Sequence, residues 1–422
     1  MMCSNLGRGV LSCVVLTSLS VAGIAQDQGG GKVDKLEKKV QSLESKIKDL
    51  EDKQETGQSE LDVSLDEIDE QLLNMSMDAS EASPGKRNFL LTGYARGNYT
   101  NAEGSPSNIG ADLFPIFLWN VSDRIFVEGE LELELEDGGT NAALEYAQMS
   151  YVIDDNMTLS MGRFLNPSNY FAANLHPAWI NKLPDKPLAV GSGRIQAFTQ
   201  VGVLLHGGME VGSSNATYAI YASNGPSLKE SGSSYGSLND KNWPDSNNSK
   251  AIGGRFGYFP TSELEVGYSI EVAQVTDEGS SVADADATIQ SLDFNYVSAG
   301  DGGTLEWRGQ WVLSDVEDVV YDPSGSDFGP ASYDNERSGG YVQAAYRPAD
   351  GSVLGALEGV LRYEELDLPT GAPGALDRSR VTLGMNYWVG PSSVFKLAYQ
   401  IDDKDSPGTN SDAVLLQWAT GF

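Results

Sequence analysis

An all-β fold, a 16-stranded antiparallel transmembrane β-barrel preceded by a short periplasmic coiled-coil helix, is the class this sequence predicts, and three observations carry it. From Phe89 to Phe422 the chain divides into about sixteen segments in which apolar and polar side chains alternate with a period of two. It ends on such a segment, Asp412 to Phe422 (DAVLLQWATGF), with Val414, Leu416, Trp418, Thr420 and Phe422 on one face. The mean hydropathy of −0.29, with 47 Gly and 18 Tyr, fits a wall that is apolar at alternate positions around a wet interior.

The N-terminus comes first. Arg8 precedes an apolar run from Val10 to Ile24, and Gly23 and Ala25 are small residues ahead of Gln26, which predicts a secretory signal peptide over residues 1–25. The run is too short for a spanning helix, and no later stretch approaches the roughly 20 apolar residues such a helix needs. Cys3 and Cys13 both lie in that signal, and Cys13 precedes most of the apolar run, which argues against lipid attachment. The mature chain is then free of disulfides, thiolate metal sites and thiol catalysis. A formal charge of −32 and a pI near 4.2 exclude nucleic acid as a partner, because phosphate binding needs a basic surface.

A glycine-rich hinge occupies 26–31 and a coiled coil 32–55. Val33, Leu36, Val40, Leu43, Ile47 and Leu50 recur at spacings of three and four, a heptad seam with Lys32, Lys39, Lys46 and Lys53 at g and Glu37, Glu44 and Glu51 at e. So short a coiled coil barely repays nucleation and forms only where something else holds the chains together. Its β-branched a and Leu d residues nominally favour two strands. Residues 56–88 form a linker, partly helical through Leu61, Leu65, Ile68 and Leu72, until Ser83-Pro84-Gly85 breaks it.

The barrel domain spans 89–422. Its expected strands lie at 89–99, 111–121, 124–136, 144–154, 157–167, 195–206, 216–225, 250–260, 263–275, 288–299, 303–316, 337–348, 356–366, 378–389, 393–402 and 412–422. Each meets the roughly 9–11 residues that a tilted spanning strand requires. Short links such as Ser122-Asp123 and Asp155-Asn156 alternate with long polar ones, the pattern of periplasmic turns and external loops. An even strand count puts both termini, and hence the coiled coil, in the periplasm. The aromatic end at Phe422 resembles the sorting signal of bacterial outer-membrane barrels, so the expected location is the outer membrane, with its lipid as a partner.

The third external loop, Ser168 to Gly193, is long and rich in apolar anchors, unusual for a solvated cap. Met161-Gly162-Arg163-Phe164-Leu165-Asn166-Pro167, then His176-Pro177-Ala178-Trp179-Ile180-Asn181-Lys182-Leu183-Pro184, then Gly202 to Gly207, together with Arg380 to Tyr387 and Lys396 to Gln400, resemble porins of the phosphate-selective O and P type. The N-terminal seam resembles that of coiled-coil-bearing trimeric porins for dicarboxylates. The resemblance implies a homotrimeric, sixteen-stranded diffusion channel for small solutes or ions, with the third loop folded into the lumen.

Selectivity is where this chain departs from the resemblance. By parity Glu128, Glu130, Glu132, Glu134 and Glu136 line the lumen, opposite Val127, Leu131, Leu133 and Leu135, a ladder that favours cations and puts phosphate selectivity in doubt. Arg163, Trp179, Lys182, Asp185, Lys186 and Arg194 are the expected constriction residues. Their basic members either set a field across the pore or pair with neighbouring acids. Arg96, Arg255, Arg308, Arg362 and Arg380 fall on lumen parity, as a basic track or as forks on Glu306, Glu358 and Glu364. Glu317 to Glu336 and Asp277 to Asp286 are strongly acidic, and Asp322 and Asp327 are spaced loosely enough to suggest calcium, but no calcium-loop pattern is met and the segments read as a solvated acidic rim, with a bound divalent cation as the alternative. With only His176 and His206, and no Gly-x-Ser-x-Gly elbow, no enzyme, metal or cofactor is expected. The rival function is a structural anchor, a plugged barrel that links the outer membrane to peptidoglycan, a further candidate partner.

Overall fold

The computed structural model describes residues 38–42, 44–45, 89–136, 139–190, 195–230, 234–239, 243–245, 247–280, 282–321, 331–349, 354–372, 377–405 and 411–422. The chain divides into a unit ending at Arg87 and a unit from Asn88 to Phe422. In the first, the described residues are helical and exposed, and Val40 is the one seam residue among them. Val33, Leu36, Leu43, Ile47, Leu50, the signal peptide, the hinge and the linker lie outside the described residues.

The second unit is a closed antiparallel barrel of sixteen strands. They are β1 (Phe89–Ala102), β2 (Asn108–Ser122), β3 (Ile125–Glu136), β4 (Gly139–Asp154), β5 (Met157–Leu165), β6 (Thr199–Val211), β7 (Ser214–Ser223), β10 (Ala251–Phe259), β11 (Leu264–Gln274), β12 (Asp286–Gly300), β13 (Gly303–Val316), β14 (Asn335–Pro348), β15 (Leu357–Asp367), β16 (Arg378–Trp388), β17 (Ser393–Lys404) and β18 (Ala413–Gly421). A small hairpin, β8 (Ser227–Leu228) with β9 (Leu238–Asn239), interrupts the loop between β7 and β10. Helix α1 (Tyr170–Leu175) opens the third loop, its N-terminus capped by the Asn169 side chain on Ala172 N. β18 closes on β1 in the register Tyr94↔Gly421 through Ala102↔Ala413, and Phe422 exchanges backbone hydrogen bonds with Gly93 at 2.9 and 3.2 Å.

The period-two pattern reads directly as two faces. In β17, Phe395, Leu397, Tyr399 and Ile401 are exposed outside, while Lys396, Ala398, Gln400 and Asp402 are buried inside. A band of exposed Phe, Trp, Leu and Ile around the outer wall is far larger than the few hundred Å² of apolar patch a soluble monomer shows, and it suits lipid.

Two departures from the expected strands have local causes. The sixth strand starts at Thr199 rather than residue 195, because Ile195 belongs to an apolar core between loops and Gln196 accepts from Gln310 at 3.3 Å. β4 runs from Gly139 with a register shift opposite Glu130 and Leu131, a β-bulge that leaves Glu145 unpaired.

The external loops are less solvated than their acidity predicts. Leu188 of the third loop, Tyr235 of the fourth, Val275 and Val282 of the fifth and Tyr321 and Tyr333 of the sixth share one buried apolar cluster. Tyr321 and Tyr333 stack at 5.3 Å, and burial raises the Tyr333 phenol well above its ordinary range. The described carboxylates at 277–286 and 317–336 are exposed, as a solvated acidic rim expects, while the apolar side chains spaced among them meet beneath it across loops, a pairing that no single segment displays. Asp322 and Asp327 lie outside the described residues.

Candidate functional site

The site is built from inward-facing wall residues and the loop between β5 and β6. The loop leaves β5 through Asn166, crosses to β11 and β13, and runs along the inner side of β14–β18 before returning. Tyr170 of α1 donates to Glu265 at 3.4 Å, and Phe171 N donates to Gln310 at 3.2 Å. His176 Nδ1 lies 2.7 Å from Ala172 O, so it carries a proton; its Nε2 stands 3.5 Å from Glu130 on β3.

The expected constriction residues separate into three groups. Trp179, Lys182 and Asp185 meet the inner wall. Trp179 packs beside Tyr94, Ala178, Val394 and Ala419. Lys182 pairs with Glu358 at 2.6 Å and Glu306 at 3.2 Å; burial pulls its ammonium below the usual lysine range, and Glu358 opposes that pull. Asp185 accepts from Arg362 at 2.6 Å, Arg380 at 3.0 Å and Gln400 at 2.7 Å. Lys186 lies over the Phe198 ring at 4.3 Å and forms no ion pair within 4 Å among the described residues.

Arg163 does not belong with them. It shares the parity of Leu159 and Met161, which are exposed on the outer face, and its guanidinium stacks on Trp243 of the fourth loop at 4.2 Å while donating to Thr199 at 3.0 Å. Its place in the constriction set is corrected on the strand's period of two, which fixes its side. Arg194 lies outside the described residues.

The arginines of the expected pore lining are held by acids. Arg255 forks onto Asp293 at 2.9 and 2.6 Å and reaches Glu265 at 2.8 Å. Arg308 pairs with Glu306, Arg362 with Glu364 at 3.1 Å, and Arg380 with Asp402 at 3.3 Å. Arg255 and Arg308 side chains are only 9 % exposed, so of the two readings the paired one holds for them rather than an open track, with Arg255 forked on Asp293.

The inner faces of β1–β4 differ from this. Arg96 bridges Asp112 at 2.6 Å and Glu134 at 2.8 Å with its side chain 22 % exposed. Glu128 accepts from Gln148, and Glu132 is half-buried. Glu130 is instead buried, accepting from Tyr94 Oη at 2.9 Å. Glu136 ends β3, and its side chain lies outside the described part. A cavity of about 360 Å³ opens here, its lining including Arg96, Asp112, Glu134, Asp185 and Lys186.

Sequence reasoning missed two features. Glu145 joins the inward acids because the β4 bulge turns it and Tyr146 to the same side, which strict parity cannot anticipate. Lys396 lies on inward parity in β17, but nothing local marks it as a ligand for the third loop.

No family model matches the chain, and no curated protein matches it. Among solved structures it is similar to Salmonella typhi OmpF in complex with daunomycin, at 13 % identity over 79 % of this chain and 97 % of that one, with a TM-score of 0.52. It is similar to the anion-selective porin from Comamonas acidovorans at 14 % identity, covering 79 % and 99 % of the two chains, with a TM-score of 0.51. A loop-L8 deletion mutant of OmpT, an outer membrane protein of Vibrio cholerae, is similar at 12 % identity over 79 % and 99 %, with a TM-score of 0.50. At these identities the likeness is one of fold: the closed barrel of outer-membrane proteins.

Proposed function

We propose that this chain is an outer-membrane porin, a passive channel for small hydrophilic solutes or ions whose lumen is narrowed by the third loop. One observation carries the reading: the inner wall carries polar and charged side chains on every strand, and on its β1–β4 side Arg96 and Glu134 stay 22 % and 24 % open to water, while the third loop packs along β14–β18. The conducting path then runs between Lys186 and the acids of β2–β4.

That path is cation-preferring. Asp112, Glu128, Glu132, Glu134 and Glu145 outnumber Arg96 and Lys186 on it, and charged rings of one sign select the opposite ion. Arg255, Arg308 and Arg380 are neutralised by carboxylates, which weighs against the phosphate-selective type and against an anion channel. The channel performs no chemistry. It sits in the outer membrane as a homotrimer, with the coiled coil in the periplasm clamping the chains.

A plugged barrel that anchors the envelope to peptidoglycan is the second reading, favoured by the burial of inward residues such as Arg362, Glu364 and Lys396. Single-channel conductance of the purified protein in a planar bilayer, with the reversal potential under a salt gradient and inhibition by phosphate, separates the readings. Steps in threes with cation preference support the porin. Anion preference with phosphate block returns the phosphate-selective type, and silence leaves the anchor.

A further inference from the structure

We propose that the mouth of the lumen at the short turns holds a subsite for organic cations with an apolar body about one ring in size, the ammonium set against Glu128 and the ring against Leu90, Leu118 and the cavity beside Trp179. The inference rests on the reading of a channel with an acidic path, and it deepens that reading by naming a solute class.

The register of β1–β4 places the groups. Leu90 pairs with Leu118, Leu118 with Glu128 and Glu128 with Gln148, so four side chains on four strands form one rung of the inner face. The next rung toward the middle of the barrel is Thr92, Ile116 and Glu130, and the next toward the turns sets Phe126 beside Ser150. All share the face of Arg96, Asp112 and Glu134, because side chains two apart on a strand lie on one side. Leu90 is nevertheless 57 % exposed and Phe126 39 % exposed, and on this face they meet the water of the lumen rather than lipid. Other inward positions near the short turns are polar and partnered: Ser160 Oγ lies 3.3 Å from His206 Nε2, and Arg347 donates to Gly355 O at 2.9 Å. Apolar side chains bared to water cost free energy, and a patch of them rimmed by polar groups marks a place where an apolar surface binds.

Two features identify the occupant. The first is space. A cavity of about 460 Å³ opens against the patch, bounded by Thr92, Tyr94 and Ile116 of the wall and by Pro177, Trp179 and Ile180 of the third loop. Small-molecule sites occupy roughly 300–1,000 Å³ and are lined mainly by apolar and aromatic side chains, as this one is. The second feature is charge. Glu128 stands directly opposite Leu118 on the neighbouring strand, where Cβ atoms are about 5 Å apart. It accepts from the neutral Gln148 side chain and forms no ion pair within 4 Å among the described residues. A solute that carries an ammonium beside a ring satisfies the carboxylate and covers the leucines at once, whereas a solute carboxylate is repelled by the same group.

The test uses the full-length protein in nanodiscs of zwitterionic lipid, with empty nanodiscs as the blank. The probe is phenethylammonium, compared with ethylammonium, which lacks the ring, and with benzyl alcohol, which lacks the charge; binding is read from saturation-transfer NMR titrations, and single-channel currents are recorded in parallel. Phenethylammonium should bind about five- to tenfold more tightly than ethylammonium, the gain from half-burying a ring. It should bind about fivefold more tightly than benzyl alcohol, the worth of one charge pair at contact in water. Leu90→Asn with Leu118→Asn should abolish the first ratio, and Glu128→Gln the second. Equal binding of phenethylammonium and ethylammonium by the wild type, or a ratio that survives the leucine pair, overturns the subsite even if the protein conducts with cation preference. Equal binding of phenethylammonium and benzyl alcohol overturns the assignment to cations. A protein that is silent in bilayers but keeps both ratios supports the subsite and removes the channel reading. Should the double variant fail to give a barrel that shifts in gel mobility on heating, Leu90→Thr takes its place as a single change at the more exposed side chain, and an unchanged ratio in it overturns the proposal.

Discussion

Replacing Glu132 and Glu145 together by glutamine removes two of the five carboxylates on the water-exposed side of the lumen, Asp112, Glu128, Glu132, Glu134 and Glu145, which face Arg96 and Lys186. Three negative charges in excess become one. At about 6 Å from a passing monovalent ion, in water with a screening length near 10 Å, each net charge is worth about 0.4 kcal/mol. Because the sign reverses for an anion, three such charges separate cation from anion by about 2.4 kcal/mol, roughly a 60-fold preference. One charge leaves about 0.8 kcal/mol, roughly fourfold. Under a tenfold salt gradient the reversal potential should fall from about 50 mV to about 25 mV. The assay is a bilayer recording at 0.1 M against 1 M salt, with Glu263→Gln, in an exposed turn, as the control. A reversal potential that moves by only a few millivolts in the double variant would refute the reasoning, because it would put both carboxylates off the conducting path.

Other expectations follow from the wall. Arg255→Met leaves Asp293 buried and unpaired, and should cost about 3–5 kcal/mol, read as a lower urea midpoint for unfolding from lipid vesicles. Gly93→Ala should reduce the yield of refolded barrel, because Gly93 has a φ of +150° and a Cβ there would stand 2.2 Å from Phe114 O; the strain is of order 1–3 kcal/mol. Tyr333→Ala removes a stacked ring from the core between the loops and should speed protease cleavage of the sixth loop while leaving unit conductance unchanged. Deleting Lys32 to Gln54 should leave unit conductance nearly intact and lower the thermal stability of the oligomer; a large conductance change would tie the N-terminal segment to the path.

The alternation of residues along the chain determined the strand count, the order of the connections and which face of each strand turns inward, because a pleated backbone sends successive side chains to opposite sides. Sixteen segments were legible for that reason, from Phe89 to Phe422. So was the third loop as an exceptional connection, since its length and its Trp179, Ile180 and Leu183 are local facts. The tertiary structure alone decided what those inward residues meet. Arg255 and Arg308 were placed on the correct face by parity, yet parity carries no information about Asp293 or Glu306 as partners. Arg163 was grouped with Lys182 and Lys186 by nearness in sequence, and its strand turns it to the opposite side of the wall. Glu145 reached the lumen because a bulge breaks the period of two, and a bulge depends on how two strands pair. Lys396 stood in a segment marked only by resemblance, and its partners on the third loop arrive from across the barrel. Periodicity is a property of one strand, whereas partnership needs closure of the barrel to bring residues more than two hundred positions apart within hydrogen-bond reach, as with Lys396 and Asn181.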